Sequence, residues 1–175
     1  MIVFADEFGY SFAERVAATW APRGQTPRLK RVGRYRRETS TMAAVTLGGK
    51  VFHKHFAGAM NSEKVIAGLE HFRRHLPGRW LLIWDGAGTH RSKATQAYLA
   101  AHPEISVEPL PAYAPEVNPE ELCHGNIKRH LMNASFETVA NIRRGIDRGF
   151  DRLRRHPDML LGFFHHAGLV VNQLW

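Results

Sequence analysis

The chain has 175 residues, with 24 Lys and Arg against 16 Asp and Glu, 11 His and one Cys. That length suits a single domain with a real core, and 44% hydrophobic with 23% charged residues excludes a disordered chain. One cysteine excludes a disulfide framework or a Cys-rich zinc site, and the formal charge of +8 points to a polyanionic partner, of which nucleic acid is the commonest.

The longest apolar strings are Trp80–Trp84, too short to span a bilayer, and residues 159–171, broken by His165, His166 and two glycines. Met1 runs straight into Ile-Val-Phe with no basic leader, so the expected compartment is the cytoplasm, with no membrane partner. No repeat or linker interrupts the chain, which reads as one domain over residues 1–175. A core strand with only Met1 ahead of it implies a fragment, or a product joined to an upstream reading frame.

In chain order, Ile2-Val-Phe-Ala-Asp6 is an apolar strand ending in an acid. Residues 41–47 and 51–57 are β-rich runs joined by Gly48-Gly49-Lys50, a hairpin. Asn61 or Ser62 caps a helix to about Leu76, with Val65, Ile66, Leu69, Phe72 and Leu76 at helical spacing, and Pro77-Gly78 ends it. Trp80–Trp84 is a buried strand ending at Asp85. A helix over 92–101, a strand over 105–110, and helices over about 118–132, 137–155 and 159–166 complete the order. Antiparallel strands first and strand–helix–strand units afterwards predict a mixed five-stranded α/β sheet flanked by helices, the element order of a ribonuclease H-like fold. A dinucleotide-binding fold would need a glycine-rich turn where this chain has Asp6-Glu7-Phe8-Gly9.

Strand periodicity puts Ile2, Phe4 and Asp6 on one face, and Leu81, Ile83 and Asp85 on one face of the later strand. The opposite faces are apolar too, so both strands read as central parallel neighbours whose carboxylates meet at the carboxyl edge of the sheet. Paired carboxylates repel unless a cation sits between them, and Mg²⁺ suits such oxygen ligands. An aspartate after a strand is also an ordinary turn or cap residue. The third acid lies in Asn118-Pro119-Glu120-Glu121, where Glu121 is either a ligand or the far end of a capping box.

At this point the residues resemble a known family. Leu110-Pro-Ala-Tyr-Ala-Pro-Glu-Val-Asn-Pro-Glu-Glu121 with Ile127-Lys128-Arg129 resembles the LPPYSPxLNPxE…K signature of mariner-type DDE transposases of bacterial insertion sequences. Asp85-Gly-Ala-Gly-Thr-His90 resembles their second-aspartate motif and Ala5-Asp6-Glu7-Phe8-Gly9 their first. Trp20-Ala-Pro-Arg-Gly-Gln-Thr-Pro27 and Gly162-Phe-Phe-His-His-Ala-Gly-Leu169 match further segments in order. The chain departs at His124, where the family has Trp, and at Ala112 and Ala114, where Pro and Ser are usual. It also lacks the family's N-terminal helix-turn-helix region for DNA recognition, so the resemblance implies the catalytic half.

The resemblance implies that Asp6, Asp85 and Glu121 are the catalytic, metal-holding triad, with Glu120 the rival third ligand and Glu7, His90, Glu116 and Glu120 in supporting places. It implies two Mg²⁺ ions, with Mn²⁺ as a substitute, cleaving double-stranded DNA at element ends and transferring the strand, and a homodimer that synapses two ends. Arg23, Arg28, Lys30, Arg31, Arg34, Arg36 and Arg37 form a run without an acid and are the expected phosphate contacts, joined by Lys128 and Arg129 of the motif. The later arginines 143, 144, 148, 152, 154 and 155, mixed with Asp147 and Asp151, read as a solvated helix face. His53-x-His55 reads as an exposed strand pair rather than a metal site. The competing functions are a ribonuclease H or resolvase-like nuclease and a non-catalytic DNA-binding remnant.

Overall fold

A computed structural model describes residues 1–12, 16–28, 38–111 and 114–171. Its strands are β1 (Ile2–Tyr10), β2 (Thr39–Thr46), β3 (Val51–Ala57), β4 (Trp80–Trp84) and β5 (Ile105–Pro109), and its helices are α1 (Ser62–His75), α2 (Lys93–Ala100), α3 (Pro119–His130), α4 (Val139–Arg155) and α5 (Pro157–His166). They form one five-stranded sheet in the order β3-β2-β1-β4-β5. β1 runs antiparallel to β2 and parallel to β4, so the mixed sheet expected from the element order is present.

Local chemistry sets the boundaries. Asn61, Ser92, Asn118 and Thr138 each accept a backbone N–H from the first turn of the helix that follows, as small polar caps do. Gly49 in the β2–β3 hairpin and Gly78 after α1 have φ of 73° and 82°, conformations that a side chain would strain.

The alternation read from β1 divides the core in two. Phe4 and Phe8 face a cluster with Ile127 of α3, Ile142, Ile146, Phe150 and Leu153 of α4, and Leu160 and Phe164 of α5. Val3 and Ala5 face Val65, Leu69 and Phe72 of α1 and Leu76 just after it, with Trp80, Leu82 and Trp84 of β4. Both faces of β1 are therefore covered, and a charged side chain on either face is held against helices.

One expectation changes. β1 does not end at Asp6; it continues to Tyr10, because β2 supplies an antiparallel partner all the way, with Asp6 opposite Ala43 and Tyr10 opposite Thr39. Pairing with β4 stops at Phe4–Ile83, where β4 itself ends one residue later. The strands thus part just where their aspartates follow, and continuing the register sets Asp6 beside Asp85. The α4 arginines also differ from a plain solvated face. Arg143 donates to Thr39 Oγ1 at 3.1 Å, Arg154 to the Val51 carbonyl at 3.1 Å, and Arg152 bonds Asn126 of α3.

Helix α3, which carries Glu121, is seated closely on α4. A Cβ at Gly149 would come within 2.8 Å of Ile127 Cγ1, and Ile127 is fully buried. Gly149→Ala is expected to cost about 1–3 kcal/mol by overpacking, seen as a lower urea midpoint at unchanged slope. An unchanged midpoint would show that α3 and α4 pack more loosely.

Candidate active site

Where β1 and β4 part, the sheet opens into a cleft of about 540 Å³. Asp6, Asp85 and Glu121 line it together, with Arg91, Asn118 and a wall from Leu110, Pro111, Ala114 and Pro115. The acids arrive from the middle of β1, the residue after β4, and the first turn of α3. Asp6 is buried, whereas the Asp85 and Glu121 side chains are 57% and 38% exposed.

Each acid has its own support. Asn118 caps α3 through Oδ1, which accepts from Glu120 N at 3.1 Å, and its Nδ2 donates to Asp6 Oδ2 at 3.3 Å. The residue that starts the helix therefore also fixes the β1 carboxylate. His90 lies flat on Trp84, ring centroids 3.9 Å apart, and bridges Asp85 Oδ1 at 2.8 Å and Glu7 Oε1 at 3.0 Å. Glu7, on the opposite face of β1 from Asp6, thus reaches the site through His90.

His124 does the same for Glu121. It stands where the resembled motif has Trp, and its two ring nitrogens meet Glu120 Oε2 at 2.9 Å and Glu121 Oε2 at 2.6 Å. Glu120 is fully buried, and its Oε1 has no hydrogen-bond partner among the described residues. The two adjacent glutamates divide as the helical turn requires: Glu121 lines the cleft and Glu120 lies beneath it. Asp6, Glu120 and His124 nonetheless place one ligand atom each within 4.8 Å of one another.

The electrostatics follow from burial. Desolvation, then the neighbouring Glu120 and Glu121 carboxylates, push Asp6 up to about 9, while hydrogen bonding from His124 lowers Glu121. The shifts run in opposite directions, so Asp6 is the acid that favours its proton and Glu121 the one that favours its charge. Burial raises Glu120 as well. Hydrogen bonding from His90 lowers Asp85. Burial opposes charge on His90 and His124, but their carboxylate partners overcome it and raise each to about 10.

This donor set fits a hard divalent cation. Its cleft-lining donors are carboxylate oxygens, and an acid kept protonated by burial and then by its acidic neighbours is what a cation relieves. Asp6, Asp85 and Glu121 would hold it.

The proton balance has a consequence for stability. His90 and His124 take up protons on folding between their ordinary 6.5 and about 10, and Asp6 does so between 3.8 and about 9. The two histidine contributions are complete below 6.5 and are lost as pH rises through 10, while the Asp6 penalty grows from 3.8 to 9. All three make the folded state bind more protons, so stability falls as pH rises. The melting temperature in chelator is expected to drop steadily from pH 6.5 to 9, and Mg²⁺ to flatten that slope. His53, held down at about 4 by burial, titrates outside this window. A flat or rising profile would contradict the assigned proton uptake.

Of the other expected residues, Arg23 and Arg28 are exposed in the described segment, and Lys30, Arg31, Arg34, Arg36 and Arg37 lie outside the described residues. Lys128 Nζ sits 5.4 Å from the Phe8 ring centroid, Arg129 is exposed, and Glu116 is exposed and off the cleft. Sequence reasoning missed Arg91, although it directly follows His90 in the second-aspartate motif. It also missed that Asn118 binds Asp6 and that His124 holds both glutamates.

The DDE superfamily endonuclease family model matches residues 1–143. The chain belongs to the DDE superfamily endonucleases. Its fold is ribonuclease H-like, as shared with solved transposases. The Mos1 transposase paired-end complex with left transposon end aligns at a TM-score of 0.66 and 16% identity, covering 98% of this chain and 56% of that one. The Mos1 mariner paired-end complex with Mn aligns at 0.69 and 16% identity, covering 95% and 53%. The catalytic domain of Mos1 mariner transposase aligns at 0.59 and 15% identity, covering 97% and 83%. The DDE chain described here therefore spans little more than half of the transposase chain in the paired-end complexes. A search of curated proteins finds no match to the sequence. Among the described residues no helix is long and apolar enough to cross a membrane.

Proposed function

We propose that this DDE endonuclease is the catalytic portion of a transposase that cuts double-stranded DNA at the ends of an insertion sequence and transfers the freed strand to target DNA. The convergence of Asp6, Asp85 and Glu121 on one open cleft carries this reading. Asp6, Asp85 and Glu121 would hold two Mg²⁺ ions, or Mn²⁺ in their place, which would supply polarisation of the attacking water or 3′-hydroxyl and charge relief at the leaving oxygen. The chain's own residues position. His90 orients Asp85, His124 orients Glu121, and Asn118 orients Asp6. Arg91 lines the cleft as a fixed cation for a phosphate oxygen. No covalent enzyme intermediate is required. Arg23 and Arg28, with the basic segment that continues to Arg37 and with Lys128 and Arg129, supply sequence-independent phosphate contacts. A homodimer holding two element ends, in a bacterial nucleoid setting, is part of the same reading.

The test is nicking of a plasmid carrying the DNA that flanks the coding sequence, with Mg²⁺ and with chelator, beside an RNA–DNA hybrid of the same sequence. Metal-dependent cuts at the element ends are the expected result. Cleavage confined to the hybrid would favour a ribonuclease H activity, and no cleavage of either would favour a DNA-binding remnant. Binding to the same DNA is expected to weaken with salt, with a log–log slope shallower by about 0.9 for each phosphate contact removed by charge reversal at Arg28, Lys30, Arg31, Arg34, Arg36 and Arg37. An unchanged slope would remove that segment from the interface.

A further inference from the structure

Away from the cleft, two histidines and an aspartate meet on the other side of the sheet centre. His53 and His55 are two apart on edge strand β3, so their side chains share a face. Their Nε2 atoms approach one oxygen, Asp147 Oδ1 of α4, at 2.8 and 2.9 Å. The imidazoles are 13% and 14% exposed and the carboxylate 44%, so solvent reaches the cluster from the carboxylate side. None of the three lines the catalytic cleft.

We propose that His53, His55 and Asp147 form a second metal site, for a zinc-class divalent cation, that ties edge strand β3 to helix α4. Two imidazole nitrogens and a carboxylate oxygen suit a borderline cation of tetrahedral preference, unlike the all-carboxylate lining of the cleft. The three ligand atoms lie within 4.8 Å of one another. Ligands at about 2.0–2.2 Å from a tetrahedral zinc stand about 3.3–3.5 Å apart, so each present contact need open by only about half an ångström. Water would take the fourth position on the open side.

The surroundings favour one ring and oppose the other. His55 Nδ1 meets Thr41 Oγ1 at 2.8 Å, which can accept its N–H and leave Nε2 free to ligate. His53 stacks on Phe150 at 4.1 Å between centroids, which fixes its plane. Its Nδ1, however, faces Arg154 Nη2 at 3.0 Å, a donor that requires the opposite tautomer. Arg154 has other partners in Asp151 Oδ1 at 2.8 Å and the Val51 carbonyl, so the cation's arrival would release it to them. Arg143, the other nearby guanidinium, is engaged by Thr39. Arg154 thus opposes binding through its hydrogen bond to His53, with the charge of Arg143 near His55 adding to it, and replacing Arg154 separates a metal site from a plain hydrogen-bonded cluster.

The test is titration of the whole chain with ZnCl₂ by calorimetry and with CoCl₂ by visible absorption. With the cleft saturated by Mg²⁺, the wild type is expected to take one further zinc and to show the intense bands of tetrahedral cobalt, and Asp85→Asn to keep both. His55→Gln and Asp147→Asn are expected to weaken that zinc by tenfold or more and to lose the bands. Arg154→Gln, whose carbonyl can accept the His53 Nδ1 proton, is expected to bind about tenfold more tightly. Should His55→Gln fail to fold, Asp147→Asn decides, since its amide keeps the aspartate's shape. No zinc bound by the wild type, affinity unchanged in Asp147→Asn, or bands lost in Asp85→Asn would overturn the proposal.

Discussion

Asp85→Ala is expected to lower metal-dependent DNA cleavage by about a thousandfold or more while leaving the fold in place. The size follows from the several kcal/mol that a metal-held carboxylate contributes at a phosphoryl centre, about 4 kcal/mol being a thousandfold. The intact fold follows from position. Asp85 lies beyond the end of β4 with its side chain 57% exposed. Beyond the cleft, among the described residues, it serves only Ala87 N, at 3.0 Å, and His90. His90 keeps Glu7 as a counter-ion when Asp85 is removed, so no buried charge is stranded. The expected loss of stability is about 1 kcal/mol. Glu116→Ala, exposed and away from the cleft, serves as the control and is expected to cleave normally. Cleavage by Asp85→Ala at more than a tenth of the wild-type rate would remove this residue from the catalytic set.

The second large effect concerns the buried pair beneath the cleft. Glu120→Ala is expected to destabilise the protein by about 1–3 kcal/mol, because it removes one of the two carboxylates that pair with the buried His124 and leaves Glu121 as the other. The double variant Glu120→Met with His124→Phe is expected to recover that loss and to lie between neutral and about 4 kcal/mol more stable than the wild type. Glu120→Met nearly conserves volume, and a phenyl ring, larger than the imidazole, can keep the 5.0 Å packing of His124 on Phe8. The urea midpoints of the two single variants and the double form a cycle that isolates the coupling. The double variant also decides between the two glutamates. Glu121 stays in the first turn of α3 but loses the His124 contact that orients it, so metal-dependent cleavage is expected to fall by about tenfold to a hundredfold, short of the Asp85→Ala loss. A loss as deep as that of Asp85→Ala would make Glu120 the third ligand instead.

Much of this site is legible in the sequence, for reasons that particular residues show. The alternation of apolar residues around Phe4 and Ile83 specifies both which strands are central and which face their aspartates share. Asn118-Pro119 marks the start of α3, and with it the height at which Glu121 stands. The course of β1 beyond Asp6 was not legible. Phe8 and Tyr10 continue the apolar alternation, but only the partner strand β2, far along the chain, decides that Asp6 lies mid-strand. That displacement matters physically, since it buries Asp6 and raises it while Asp85 stays open and charged.

The supporting contacts were less legible still. Glu120 and His124 are four apart, a spacing common to countless solvated helix pairs, and nothing local distinguishes a buried one. His90 reaches Glu7 across 83 residues and Asp147 reaches His53 across 94, separations that no local pattern encodes. Asn118 was readable as a cap, and its second bond to Asp6 was hidden because one amide performs both tasks through different atoms. The substitution of His124 for the motif's Trp finds its reason in the same way: the histidine is matched to Glu120, and a tryptophan would leave that buried carboxylate alone.

The most direct measurement is a crystal of the chain soaked in Mn²⁺ and examined for anomalous scattering. A peak within bonding distance of Asp6, Asp85 and Glu121 oxygens, lost in Asp85→Ala, is the expected result. Well-ordered carboxylates with no anomalous peak among them at saturating Mn²⁺ would contradict a metal-dependent cleft.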